Sequence, residues 1–163
     1  MNQTGRLTYQ LSRSEMDYCI QVGRSRFRAG RSLPFQDDTT GEYHIAGATA
    51  EFVARAHFGL PLSLSRAGDP GFDLRLGSIT VDCKATGWNP RRYRNLQIRA
   101  DKTTWADVFL LGRVAGNRVM LAGWTSKDLI RSAPIRYDLP IPAHQIPIKD
   151  LYILDLLLIP AGG

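Results

Sequence analysis

Asp73-Leu-Arg-Leu-Gly77-Ser78-Ile-Thr-Val-Asp82-Cys83-Lys84-Ala-Thr86 is the stretch that decides the fold and concentrates the chemistry of this chain. Two alternating segments meet at Gly77-Ser78, and glycine supplies the positive φ that a tight hairpin turn needs. A pair of antiparallel strands is expected there. Side chains alternate between the two faces of a strand, so Asp82 and Lys84 share one face while Val81, Cys83 and Ala85 take the other. Asp73 opens the partner strand near the level of Asp82, which gathers two carboxylates and one amine at one place.

Upstream of the hairpin, the run from Ser14 to about Arg28 has a serine cap, early acids and late arginines, a helix signature at both ends. Met16, Ile20 and Phe27, with Cys19 or Gly23 between them, form its expected buried stripe. A second helix is expected from about Glu42 to Phe58, stopped by Gly59 and Pro61. Its core face is Ile45, Ala48, Thr49, Phe52, Val53 and Ala56. Glu51 lies on another stripe with His44 and Arg55, and pairs with Arg55 at i,i+4. Downstream, a third strand covers Leu96 to Arg99, and runs beginning at Ala106 and Arg118 form a hairpin joined at Gly116-Asn117. Ser126 caps a short helix from Lys127 to Arg131.

The remaining segments read as connections. Residues 1–12 form a partly ordered arm, 134–147 a proline-rich extended linker, and 150–158 an apolar element that is either helix or strand. The expected class is α/β (α+β), a central mixed β-sheet flanked by helices in a single domain of residues 1–163. Within it an N-terminal helical arm takes about 1–32, the core about 41–132 and a C-terminal extension about 133–163.

A chain of 163 residues can bury a real core. No apolar run approaches the ~20 residues of a membrane helix, and the first residues lack the apolar region of a signal peptide, so a cytoplasmic location without membrane association is expected. Cys19 and Cys83 have no metal or disulfide spacing and are expected as reduced, buried thiols. His44, His57 and His144 are too scattered for a zinc site.

A formal net charge of +6 suits a polyanionic partner. Arginines cluster at Arg24, Arg26, Arg28 and Arg31 and again at Arg91, Arg92, Arg94 and Arg99, flanking the hairpin on both sides. With Gln97, which shares a strand face with Arg99, they are the candidate phosphate contacts. Trp88 and Tyr93 lie among the second cluster, where they stack on bases or dock on the core. Trp105 and Trp124 adjoin apolar runs and are expected in the core.

A helix with an acid, then a hairpin carrying Asp and Asp-x-Lys, then further strands and a helix, resembles the PD-(D/E)XK nuclease superfamily, whose members share a restriction-endonuclease-like αβββαβ core also seen in Holliday-junction resolvases. The resemblance covers roughly residues 41–129. Asp73 matches the first acid, Asp82 the second and Lys84 the lysine, with eight residues between the two aspartates. Glu51 matches the glutamate on the preceding helix. No proline precedes Asp73; the nearby Asp69-Pro70 is in reversed order, which leaves Asp69 as a rival first acid.

The resemblance implies a nuclease that hydrolyses DNA phosphodiesters with Mg2+, Mn2+ substituting, and RNA remains open as substrate. Asp73, Asp82, the backbone carbonyl of Cys83 and Glu51 would hold the metal, and Lys84 would orient or deprotonate the attacking water. Many similar nucleases act as homodimers, and so small a chain suits structure-directed cutting or a separate targeting partner. The alternative is a nucleic-acid-binding or assembly module on the same scaffold that does not cut, and a third reading is a protein-binding domain.

Overall fold

Around Gly77, whose φ of 60° is the left-handed turn conformation, Leu74–Leu76 (β2) folds back antiparallel on Ile79–Gly87 (β3). The hairpin is the one expected from the Gly77-Ser78 step. The structure, a computed structural model, describes residues 6–29, 41–66, 71–87, 95–154 and 157.

The long strand β3 pairs in parallel with Val108–Ala115 (β5), which turns at Gly116 into its antiparallel neighbour Arg118–Ser126 (β6). Thr8–Gln10 (β1) adds to the far side of β6, giving a mixed five-stranded sheet in the order β1-β6-β5-β3-β2. The α/β (α+β) class and the mixed central sheet are therefore as the sequence indicates. The first strand was not foreseen, because three residues are too short for an alternating pattern to register.

One face of the sheet is covered by Glu42–His57 (α2), on which Arg13–Arg28 (α1) packs. The cap of α1 is Ser12 rather than Ser14: its hydroxyl accepts from the Glu15 amide, and the Glu15 carboxylate accepts from the Ser12 amide. The buried stripe of α1 centres on Cys19, Val22 and Gly23, with Met16, Ile20 and Phe27 half-buried at its margins. In α2 every residue from Ala48 to Ala54 is buried, Glu51 among them, since α1 covers one side and the sheet the other.

The α1–α2 crossing is close because position 23 has no side chain. A Cβ there would lie 2.5 Å from the Ile45 Cα, a backbone atom that cannot swing aside. Gly23→Ala is expected to lose about 1–3 kcal/mol of stability through overpacking, outweighing the ~1 kcal/mol that alanine gains in helix propensity. A urea midpoint equal to or above wild type would refute this.

Leu96 and Ile98 occupy the other face, on Asn95–Arg99 (β4), packed with Phe109, Leu111, Met120 and Ala122 of the large sheet. Strand β4 does not extend the hairpin's sheet; it pairs with Ala143–Pro147 (β8), which also holds Ile135–Arg136 (β7). The segment 134–147 is thus two strands rather than an extended linker. Its prolines are accommodated where a missing amide costs least: Pro142 precedes β8 and offers its carbonyl to the Ala100 amide, and Pro147 ends the strand.

Lys127–Ser132 (α3), capped by Ser126 as expected, packs on the same side. A single 3-10 turn at Ile148–Asp150 leads to a bridge between Tyr152 and Trp124. The core therefore extends beyond residues 41–132 to include β1, β8 and the segment around Leu151 and Leu154. Among the described residues no helix is long and apolar enough to cross a membrane.

Candidate active site

Strand alternation sorts the side chains of β3 between the two layers. Val81 and Cys83 join the core under α1 and α2, while Asp82, opposite Phe109, and Lys84, opposite Leu111, belong to the other face. Lys84 and Asp82 do point the same way: the Lys84 Nζ is 2.8 Å from Asp82 Oδ1. The second carboxylate oxygen is taken by a residue that sequence reasoning missed. Lys102, on the turn between β4 and β5, brings its Nζ to 3.2 Å from Asp82 Oδ2. Asp82 is nearly buried, with a side-chain exposure of 6%, against 37% for Lys84 and 22% for Lys102.

Asp73 arrives from the sheet edge. Its amide donates to the Val81 carbonyl, the last rung of the hairpin ladder, and its carboxylate continues the ladder by accepting the Cys83 N–H through Oδ2 at 2.6 Å. The N–H and C=O of one strand residue point to the same side. The Cys83 carbonyl therefore faces this same edge, beyond the end of β2. Asp73 thus sits at the edge of β3 on the Cys83 amide, and Asp82 lies on the strand face that it shares with Lys84.

Glu51 is placed differently. It lies on the helix side of the sheet, and both carboxylate oxygens are engaged by guanidinium groups: Arg26 Nη2 at 2.8 Å from Oε2 and Arg55 Nε at 3.2 Å from Oε1. The two arginines then reach outward. Arg26 Nε donates to the Ser65 carbonyl, Arg55 Nη1 to that of Pro61, and Arg55 Nη2 to that of Asp73 at 2.7 Å. Glu51 is the centre of a buried network that ties α1, α2 and the following loop to the backbone of Asp73. The expected Glu51–Arg55 pair exists, but inside the protein.

A donor set of two carboxylates and one carbonyl is all oxygen and suits a hard divalent ion that keeps several waters. The ammonium groups of Lys84 and Lys102 already place positive charge on Asp82. Asp73, Asp82 and the Cys83 carbonyl are the oxygen donors on this strand that such an ion would use, and both oxygens of Asp82 are occupied by lysine ammonium groups. Glu51 does not add a third carboxylate, for among the described residues no three His, Cys, Asp or Glu come together as a metal group.

An open cleft of about 510 Å³ lies in front of Lys84, lined by Gln97, Ile98, Arg99, Asp101, Lys102, Thr103 and Thr104. Of the candidate phosphate contacts, Gln97 and Arg99 are on this cleft, as their shared strand face suggested. Gln97 bonds across to Gln145, and Arg99 forms a two-pronged pair with Asp101, which holds the Asp101 carboxyl below its ordinary range. Arg24 and Arg28 are exposed on α1, whereas Arg26 is committed to Glu51. Arg31, Arg91, Arg92 and Arg94, with Asp69, Trp88 and Tyr93, lie outside the described residues. Trp105 and Trp124 are half-buried against the two core clusters.

Both thiols are buried and unpaired with each other. Burial pushes Cys19 up to about 11. Burial raises Cys83 well above the usual thiol range, and the negative charges of Asp73, Glu51 and Asp82 add to the effect. Neither thiol should react with Ellman's reagent at pH 8 until the protein unfolds; prompt labelling of the native chain would contradict the burial. An unfolded thiol titrates near 8.5, whereas these stay neutral beyond it. The stability they contribute is thus whole below about pH 8.5 and is lost as pH rises above it.

No protein-family model matches this chain, and no curated protein and no solved structure matches it.

Proposed function

We propose that this chain is a metal-dependent nuclease that hydrolyses DNA phosphodiester bonds on a PD-(D/E)XK-like, restriction-endonuclease-like scaffold. The observation that carries the reading is the convergence on β3: the Asp73 carboxylate on the Cys83 amide, the nearly buried Asp82 beside it, and Lys84 on Asp82 facing a cationic cleft. Asp73 and Asp82, with the Cys83 carbonyl, would hold Mg2+ or Mn2+. When bound there, such an ion supplies Lewis-acid charge to a phosphate oxygen and makes a neighbouring water more acidic. Lys84 orients that water and offsets charge on the phosphate. Glu51, in this reading, is a positioning residue that fixes the backbone of Asp73 through Arg55.

The test is incubation of the purified chain with linear, circular, branched and single-stranded DNA in Mg2+ or Mn2+. Cleavage that disappears with chelator supports the reading; intact DNA in every case, together with no binding of DNA, defeats it. A second reading has its own support. Asp82 and Glu51 are each neutralised by two cationic side chains without any ion, as in a nucleic-acid-binding module that no longer cuts. Such a module would bind DNA with the steep salt dependence of phosphate contact and no response to divalent ions.

A further inference from the structure

Lys102 is a built feature of the cleft. Its amide donates to the Arg99 carbonyl at 3.2 Å, its own carbonyl accepts the Trp105 indole N–H at 2.7 Å, and the turn is tied to β8 through Ala100 and Pro142. Trp105 is itself held by Phe109 in the core and by the Arg131 guanidinium over its ring. A turn so anchored delivers one ammonium to one oxygen of a nearly buried carboxylate, at the wall of a cleft whose other basic groups are Lys84 and Arg99. Arg99 is paired one-to-one with Asp101, whereas Lys84 and Lys102 share the single carboxylate of Asp82, so the surplus positive charge that a phosphate in this cleft would meet comes from these two lysines.

We propose that the cleft is a phosphate-binding site for nucleic acid, and that Lys102 is its exchangeable ligand, resting on Asp82 without metal and turning to the phosphate when a divalent ion takes its place. This rests on the nuclease reading of Asp82. The physical ground is competition: an ammonium and a divalent cation cannot share one carboxylate oxygen at close range without strong repulsion. An ion arriving at Asp82 displaces the longer of the two contacts, which is that of Lys102 at 3.2 Å against 2.8 Å for Lys84. The lysine stem is flexible, and the released ammonium remains on the cleft wall. Metal and phosphate then bind with positive coupling, each strengthening the other by the same factor.

The experiment uses the full chain as wild type, Lys102→Met and Lys102→Arg. Mn2+ binding is followed by electron paramagnetic resonance, and binding of a labelled DNA duplex by anisotropy with and without Ca2+. Lys102→Met should bind Mn2+ about tenfold more tightly, since a competing charge is gone. It should also bind DNA about tenfold more weakly in Ca2+ and lose most of the Ca2+ enhancement seen in wild type. Lys102→Arg should stay near wild type in DNA binding, which separates loss of charge from loss of fold. Unchanged or weaker Mn2+ binding by a folded Lys102→Met, with wild type binding Mn2+ normally, overturns the exchange while leaving the nuclease reading standing. A wild type that binds no Mn2+ and cuts no DNA overturns both.

Discussion

Asp82→Asn is expected to reduce DNA cleavage by ~100- to 1000-fold, the scale of losing a principal electrostatic element of a site, while the chain stays folded. Asparagine keeps the shape of aspartate but removes the charge that Lys84 and Lys102 both share. Two consequences follow, and they act in the same direction. The carboxylate that would hold the ion is gone, so Mn2+ binding should fall with cleavage, and two ammonium groups are left facing a neutral amide. The stability loss should be modest, because both lysines are partly exposed and can turn to water. Lys84→Ala should lower cleavage strongly with far less effect on Mn2+ binding, since Lys84 is assigned to the water and phosphate. Cleavage within tenfold of wild type in the Asp82→Asn, Lys84→Ala double variant would sink the site assignment.

Glu51→Ala should be the most destabilising single change near the site. Removing one partner of a buried ion pair costs ~3–5 kcal/mol because the charge left behind is uncompensated, and here two guanidinium groups lose their shared carboxylate. Arg26 and Arg55 keep some exposure, at 13% and 18%, so the lower end, about 3 kcal/mol, is the expected shift in a urea titration. Glu51→Gln, which retains one acceptor oxygen, should lose less. The two variants also separate positioning from ligation. If Glu51 acts through Arg55 on the backbone of Asp73, folded Glu51→Gln keeps most of its Mn2+ affinity while cleavage falls. A loss of Mn2+ binding as deep as that of Asp82→Asn would make Glu51 a metal ligand after all.

The hairpin was legible because its information is local. A period of two in side-chain direction and one glycine turn are enough to put Asp82 and Lys84 on one face and Asp73 on the neighbouring strand. The helix α2 was legible through its stop at Gly59 and its small-residue face. Lys102 was not, since Asp101-Lys102-Thr103-Thr104 has no periodicity, and its meeting with Asp82 depends on the Trp105 anchor. Nor was the double engagement of Glu51. Its i,i+4 partner Arg55 can be counted off along the helix, but Arg26 lies 25 residues away and reaches it only through the α1–α2 crossing. In 134–147 the prolines masked a strand signal, the alternation about His144 and Ile146, because their position at strand ends cannot be seen without a partner. The partner is β4, whose own pattern gave no sign of which sheet it joins.

The pairing of β1 with β6 sets an order of events during synthesis. Thr8 lies against Met120, and the Asn117 side chain bonds the Leu11 carbonyl across 106 residues of sequence. Strand β1 has no partner until β6 leaves the ribosome, a wait on the order of 5–20 s at ordinary elongation rates. Through that interval α2, on which α1 packs, has no finished sheet to cover. Contacts this distant form slowly even in the released chain. The nascent chain is therefore most exposed to aggregation, and most in need of a chaperone, before the second half of the sheet exists. Transferring β1 and α1 to follow β8 would alter that timing without altering a single residue of the site.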